Sequence, residues 1–140
     1  MRVDPKILKP QVLCVCHVRE LSQQIAEVYE KITKFSDIQV SNYTVSGKAE
    51  GAHIVVTTLG KLKSAMAGGR QKKSAMLDLS ELKCFVIDEA DIFFNDKKNY
   101  QALTEVIKNN ISKLSQKIQY ILFSATYPEE IKEAIGTIVA

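Results

Sequence analysis

No stretch of this chain is long and apolar enough to cross a bilayer, and residues 1–10 mix charges with prolines where a secretion signal would be apolar. The expectation is a protein of the cytoplasm or nucleus with no membrane partner. Cysteine is scarce. Cys14, Cys16 and Cys84 all lie inside strand-like apolar runs, so they read as reduced core residues and not as a disulfide framework. Cys14-Val15-Cys16-His17 has no second ligand pair at zinc-site spacing, which sets a structural metal aside. Internal repeats and low-complexity tracts are absent. The net charge of +3 permits contact with phosphates but is too mild to identify a nucleic-acid binder. With 46% hydrophobic and 25% charged residues, the 140-residue chain has the means for one domain with a real core, and nothing in it indicates two.

Strand-like runs alternate with stretches at helical spacing, the pattern of an α/β fold with a parallel sheet. Strands are expected at 11–16, 53–58, 84–87 and 119–123, with a weaker one at 40–45 closed by Ser46-Gly47. A helix is expected over 19–35, where Leu21, Ile25, Val28 and Ile32 recur at three and four residues. A short helix follows at 61–66, and a longer one near 99–114 has Leu103, Val106, Ile107 and Ile111 on one face. Residues 70–80, basic and then apolar, read as a surface connection. Thr126-Tyr127-Pro128-Glu129 fits a capping box opening a last helix that runs to about Gly136.

The most informative run is Cys84-Phe85-Val86-Ile87-Asp88-Glu89-Ala90-Asp91. Four apolar residues end abruptly in two adjacent carboxylates, with a third close behind. Ligands of open α/β sheets sit at the carboxyl ends of such buried strands. An acidic pair there suits a Mg²⁺ held through water and a water oriented for attack on phosphate. Taken alone it is equally a strand running into an acidic turn. A second signal, Ser124-Ala125-Thr126 after the apolar Ile121-Leu122-Phe123, outweighs that plainer reading.

Asp88-Glu89-Ala90-Asp91 and Ser124-Ala125-Thr126 resemble, letter for letter and in order, motifs II and III of the DEAD-box RNA helicases. The resemblance extends over most of the chain. It implies a three-layer RecA-like fold, the parallel sheet of phosphate-loop NTPases flanked by helices, and ATP-dependent remodelling of RNA. By the same resemblance, Asp88 holds Mg²⁺ through water and Glu89 orients the attacking water. Asp91, Ser124 and Thr126 then couple nucleotide state to the grip on RNA, though Thr126 is also a good N-cap. His17-Val18-Arg19-Glu20-Leu21 looks like motif Ia with its usual Pro-Thr replaced, and gives Arg19 a phosphate contact beside free helix N–H groups. Ser46-Gly47 stands where the family has Gly-Gly, so Gly47 is either an RNA contact or a plain turn. Thr57-Thr58-Leu59-Gly60-Lys61 looks like motif Ib, with Thr58 and Gly60 kept and Lys61 in place of arginine. Lysine meets a phosphate as a point charge without the bidentate fork, so weak, sequence-independent RNA contacts are expected. Arg2-Val3-Asp4-Pro5 followed by Pro10-Gln11 resembles the mRNA-export branch of the family, which acts at the nuclear pore.

One family feature is missing from these residues. No run of the form Gly-x-x-x-x-Gly-Lys-Ser/Thr occurs: Gly47-Lys48 lacks the loop and the hydroxyl, and Gly60-Lys61 lacks the upstream glycine. The aromatic-plus-glutamine segment that reads adenine is missing as well. Residues 1–140 therefore read as an N-terminally truncated first RecA-like domain, with 1–10 as a lead-in and 119–123 as an unpaired apolar edge. ATP, Mg²⁺, a second RecA-like domain and a regulatory protein belong to the complete protein. This chain alone is expected neither to bind nor to hydrolyse ATP appreciably. The alternative is a non-catalytic module that binds RNA or a partner.

Overall fold

Strand β1 (Val12–Cys16) is buried along its whole length, because both of its faces are covered, and its sequence accordingly lacks polar alternation. The computed structural model describes residues 3–66 and 77–126, with residues 129, 132, 133 and 136. In it β1 pairs in parallel with β3 (Ile54–Thr58) on one side and β4 (Cys84–Ile87) on the other. Strand β2 (Val40–Asn42) lies outside β3, and β5 (Gln119–Leu122) outside β4, giving the order β2-β3-β1-β4-β5. All pairs are parallel, as the alternation of strands and helices requires. Among the described residues β5 is an edge, half-buried rather than buried, as expected for 119–123.

Successive side chains of β1 enter opposite cores. Leu13 and Val15 join Val55, Phe85 and Ile87 under helices α3 (Leu59–Met66) and α5 (Lys97–Val106) through Leu62, Leu103 and Val106. Val12 and Cys14 join Ile54, Val56, Cys84 and Val86 on the other face, where helix α1 (Arg19–Ile32) packs. Helices therefore lie on both faces of the sheet, and the expected three layers are present.

Three elements differ from the sequence expectation. In α1 the buried face is Ser22 and Ala26, flanked by Ile25 and Tyr29, while Val28 and Ile32 stay 54% and 74% exposed. Ser22 and Ala26 with Ile25 and Tyr29 face the sheet, and Val28 and Ile32 turn outward. The strand expected over 40–45 stops at Asn42, and Tyr43–Ser46 forms a single helical turn, α2. Gly47, at φ 64°, closes that turn by donating its N–H to the Tyr43 carbonyl at 2.8 Å. The turn also draws the Tyr43 ring fully into the core. A further helix, α4 (Ala90–Asn95), precedes α5, which starts at Lys97 because Asp96 accepts from the N–H groups of Lys98 and Asn99. Past α5 the chain makes one π turn over Ile107–Ile111, which keeps Leu103, Val106, Ile107 and Ile111 all buried, as their spacing foretold. Most of the expected last helix, and most of the 70–80 connection, lie outside the described residues.

Two buried polar side chains fasten the lead-in to the sheet. The Gln11 amide accepts from the Asp4 N–H and donates to the carbonyls of Asp4 and Ile7, at 2.8, 2.8 and 3.0 Å. His53 Nδ1 accepts from the Gln39 N–H at 2.8 Å, so its proton sits on Nε2 and is donated to the Pro5 carbonyl at 3.0 Å.

Candidate functional site

The carboxyl ends of all five strands open on one rim, and the strand order divides the sequence-derived site residues between its two halves. Asp88 and Glu89 follow β4, and Ser124 and Thr126 follow β5. Arg19 follows β1, while Thr58, Gly60 and Lys61 end β3 and begin α3. Gly47 follows β2 across α2.

The acidic half is the more tightly built. The Asp88 N–H donates to the Val15 carbonyl at 3.0 Å, which extends the sheet by one bond before the chain turns. Asp88 Oδ1 accepts from the Glu89 N–H at 2.9 Å. Glu89 itself is left-handed (φ 52°, ψ 51°), the one non-glycine residue with positive φ among those described. That conformation costs a β-carbon residue about 1–2 kcal/mol, so neighbouring bonds must hold it. They do. The Ala90 N–H donates to the Phe123 carbonyl at 2.9 Å, and the Phe123 N–H to the Ile87 carbonyl at 2.9 Å, locking the turn to the end of β5. Asp88, Glu89, Phe123, Ser124 and Ala125 line an open pocket of ≈ 240 Å³.

Behind that pocket a hydroxyl chain joins the two sequence signals. The Asp91 N–H donates to Ser124 Oγ at 3.2 Å, and Ser124 Oγ donates to the Thr126 carbonyl at 2.6 Å. Thr126 Oγ1 donates back to Asp91 Oδ2 at 3.4 Å, a long bond that closes the ring. The three residues assigned to coupling are thus brought together. Near the acidic pair, the single Cys16 thiol proton is shared between the carbonyls of Thr57 and Val18, each 3.5 Å from Sγ. Burial pushes that thiol up to about 12, with the negative charges of Asp88 and then Glu89 adding to it.

The other half of the rim, which carries Arg19, Thr58, Gly60 and Lys61, is open. Arg19 opens α1 and is exposed, and the N-cap residue Val18 offers no side-chain acceptor to the first-turn N–H groups. The Cys16–Thr58 register brings the ends of β1 and β3 side by side, so Arg19 and Lys61 leave adjacent strands. Thr58 Oγ1 accepts from the Lys61 N–H at 3.4 Å, a weak cap on α3. A β-carbon at Gly60 would meet nothing within 4 Å, so packing within the chain does not demand glycine there. Gly47 does have a structural reason, its positive φ. Sequence reasoning missed Thr44, whose Oγ1 accepts from the Thr58 N–H at 2.8 Å, and Tyr43, whose ring lies 6.0 Å from Lys61 Nζ. Reading 40–45 as a strand hid both, and the Ser46-Gly47 turn was their only sequence trace.

The acidic pair fits a hydrated Mg²⁺, which keeps several waters and takes one or two carboxylates together with phosphate oxygens. Among the described residues no group of three or more His, Cys, Asp or Glu side chains forms a full metal cage. Phosphates fit less well, since the 140 residues hold no glycine-rich loop to cradle them.

Comparison with known proteins bears on the same residues. The family model described as DEAD/DEAH box helicase matches residues 2–134. The chain is 34% identical over 149 residues to a DEAD-box ATP-dependent RNA helicase 38 of Arabidopsis thaliana, covering 99% of this chain and 28% of that protein. It is 36% identical over 136 residues to the ATP-dependent RNA helicase DBP5 of Candida albicans, covering 94% and 23%. Among solved structures it is similar to S. cerevisiae Dbp5 bound to RNA and ADP BeF3, with a TM-score of 0.79 and 29% identity over 99% of this chain and 34% of that one. The yeast DEAD-box splicing factor Prp28, at 22% identity and a TM-score of 0.76, shares the fold. The chain spans about a quarter of the length of the curated relatives it matches.

Proposed function

We propose, from the premise that this chain belongs to the DEAD/DEAH box helicase family, that it is part of an ATP-dependent RNA helicase. It contributes much of the first RecA-like domain: the Mg²⁺-holding Asp88, the water-orienting Glu89 and part of the RNA grip. The observation that carries this is the Glu89 turn, held left-handed and tied through Asp91, Ser124 and Thr126 to the end of β5. Sheet and α4 do not need a strained glutamate there, whereas a water-orienting carboxylate at a strand terminus does. When Mg²⁺ is bound, it supplies charge neutralisation to the phosphate oxygens. Asp88 holds its water shell, Glu89 orients the attacking water, and the hydroxyl chain relays any shift of that turn to the end of β5. RNA lies across the other half of the rim, on Arg19, Gly47, Thr58, Gly60 and Lys61. Relatives named DBP5, and solved Dbp5 structures carrying RNA, Gle1 or Nup159, support assignment to the mRNA-export branch at the nuclear pore. They support RNA and a regulatory protein as partners, beside a second RecA-like domain.

A second reading, a non-catalytic RNA- or partner-binding module, is favoured by the lack of a phosphate cradle within the 140 residues. The separating experiment is a chimera in which this chain replaces the matching segment of the Candida albicans relative. RNA-stimulated ATP hydrolysis that Glu89→Gln abolishes supports the helicase reading. A folded chimera that binds RNA but turns over no ATP, and ignores Asp88→Ala, supports the binding module. The isolated chain should show no appreciable turnover under either reading.

A further inference from the structure

We propose that α2 is the positioning element of the RNA-facing rim, and that Lys48 at its exit is a further phosphate contact; this rests on the RNA-facing reading of Arg19, Thr58 and Lys61 above. The turn is short, yet three of its four residues make contacts that reach those groups or lead into Lys48. Tyr43, fully buried, anchors α2 in the core and leaves its ring 6.0 Å from Lys61 Nζ, the distance of a cation over an aromatic face. That contact limits where the exposed lysine points. Thr44 Oγ1 accepts from the Thr58 N–H at 2.8 Å, at the point where β3 ends and pairing with β2 has already stopped. Without it, the last N–H of β3 loses its partner on that side.

Ser46 completes the set. Its Oγ accepts from the Lys48 N–H at 3.1 Å and donates to the Lys48 carbonyl at 3.0 Å, and Ser41 Oγ, from β2, donates to the same carbonyl at 2.5 Å. Two hydroxyls on one carbonyl fix the main chain of an otherwise exposed turn. Gly47 contributes the positive φ that lets the chain reverse there. Lys48 thus leaves a rigid backbone with its side chain in solvent, on the outer flank of the rim that carries Lys61 and Arg19. Three exposed cations follow β2, β3 and β1 on one rim, an arrangement suited to the repeated charges of a single-stranded backbone. It requires no base recognition.

The test is fluorescence anisotropy of the 140-residue chain with a labelled oligouridylate over a range of salt, beside a thermal melt of each variant. Lys48→Gln is expected to weaken binding equally for oligouridylate and oligoadenylate, and to lower the salt slope by about 0.7, the value of one single-strand phosphate. Thr44→Val is expected to weaken binding about three- to tenfold, the worth of one hydrogen bond, with Thr44→Ser restoring it. Suppose Lys48→Gln and Thr44→Val bind like the parent while Arg19→Gln and Lys61→Gln weaken binding. The role of α2 is then overturned and the RNA reading stands. Failure of Thr44→Ser to restore affinity also overturns the positioning role, since it marks a loss of fold. No RNA binding by the parent chain, or indifference to Arg19→Gln and Lys61→Gln, overturns the RNA reading and this inference with it.

Discussion

Replacing Glu89 by glycine is expected to stabilise the fold while removing the carboxylate assigned to water orientation. At φ 52° and ψ 51°, Glu89 pays the left-handed penalty of about 1–2 kcal/mol. Glycine escapes that penalty but carries more conformational freedom in the unfolded chain, which costs about 0.5–1 kcal/mol. The difference favours glycine by about 0.5–1 kcal/mol, which raises Tm by about 2–4 °C for a domain of this size. Two controls separate backbone strain from charge. Glu89→Ala and Glu89→Gln both remove the negative charge beside Asp88 but keep a β-carbon, and so keep the strain. Differential scanning calorimetry of the four proteins is the assay. Equal shifts for alanine and glycine would refute the reasoning, because the gain would then come from relieved repulsion. A lower Tm for glycine alone would refute it more directly, placing the residue in a comfortable backbone well. In the chimera all three substitutions lose ATP turnover, so a glycine variant that is both more stable and inactive marks Glu89 as a residue kept for chemistry.

Gln11→Leu keeps the volume of a fully buried side chain but strands the Asp4 N–H and the Ile7 carbonyl, and leaves the Asp4 carbonyl only its bond from the Ile7 N–H at 3.2 Å. It should cost about 2–3 kcal/mol in urea denaturation and open residues 3–10 to protease; an unchanged midpoint would contradict the fastening role. All three cysteines are buried, and Cys16 is pushed up to about 12, so at pH 8 only about one thiol in 10⁴ at that position is ionised. Native protein should therefore react with Ellman's reagent only as fast as it opens, and release all three equivalents in guanidinium; one fast native equivalent would contradict the burial.

What could be read from sequence was whatever rests on period and spelling. The four fully buried strand residues 84–87 end in Asp88 and Glu89 because a covered parallel strand is apolar throughout and its carboxyl end is where polarity returns. Leu103, Val106, Ile107 and Ile111 read correctly as one face, since a single π turn shifts the helical phase too little to expose them. The helical spacing of Leu21, Ile25, Val28 and Ile32 located the helix but not its buried face, since Ile25 packs against the core while Val28 and Ile32 stay exposed. Hydrophobic period reports which residues are apolar, not which positions end up most covered, and those are Ser22 and Ala26. The strand reading of 40–45 failed because the fate of Tyr43 and Thr44 is decided by tertiary partners. These are the core that takes the ring and the Thr58 N–H that takes the hydroxyl, and neither is visible locally.

The same distinction explains why the candidate site residues were legible and their bracing was not. Asp88, Glu89, Ser124 and Thr126 were legible because they stand, letter for letter and in order, where motifs II and III of the family resemblance place them. The left-handed Glu89 depends on bonds from Phe123, a residue with no chemistry of its own, whose backbone does the holding. Thr126 makes the point most clearly. As an N-cap its Oγ1 would accept from a backbone N–H ahead of it, whereas here that atom donates to Asp91. A hydroxyl can do both at once, donating through its proton and accepting through a lone pair. Capping and coupling are therefore not rivals at Thr126: a last helix capped there would be held to α4 through Asp91, so movement of either helix would be transmitted through one hydroxyl.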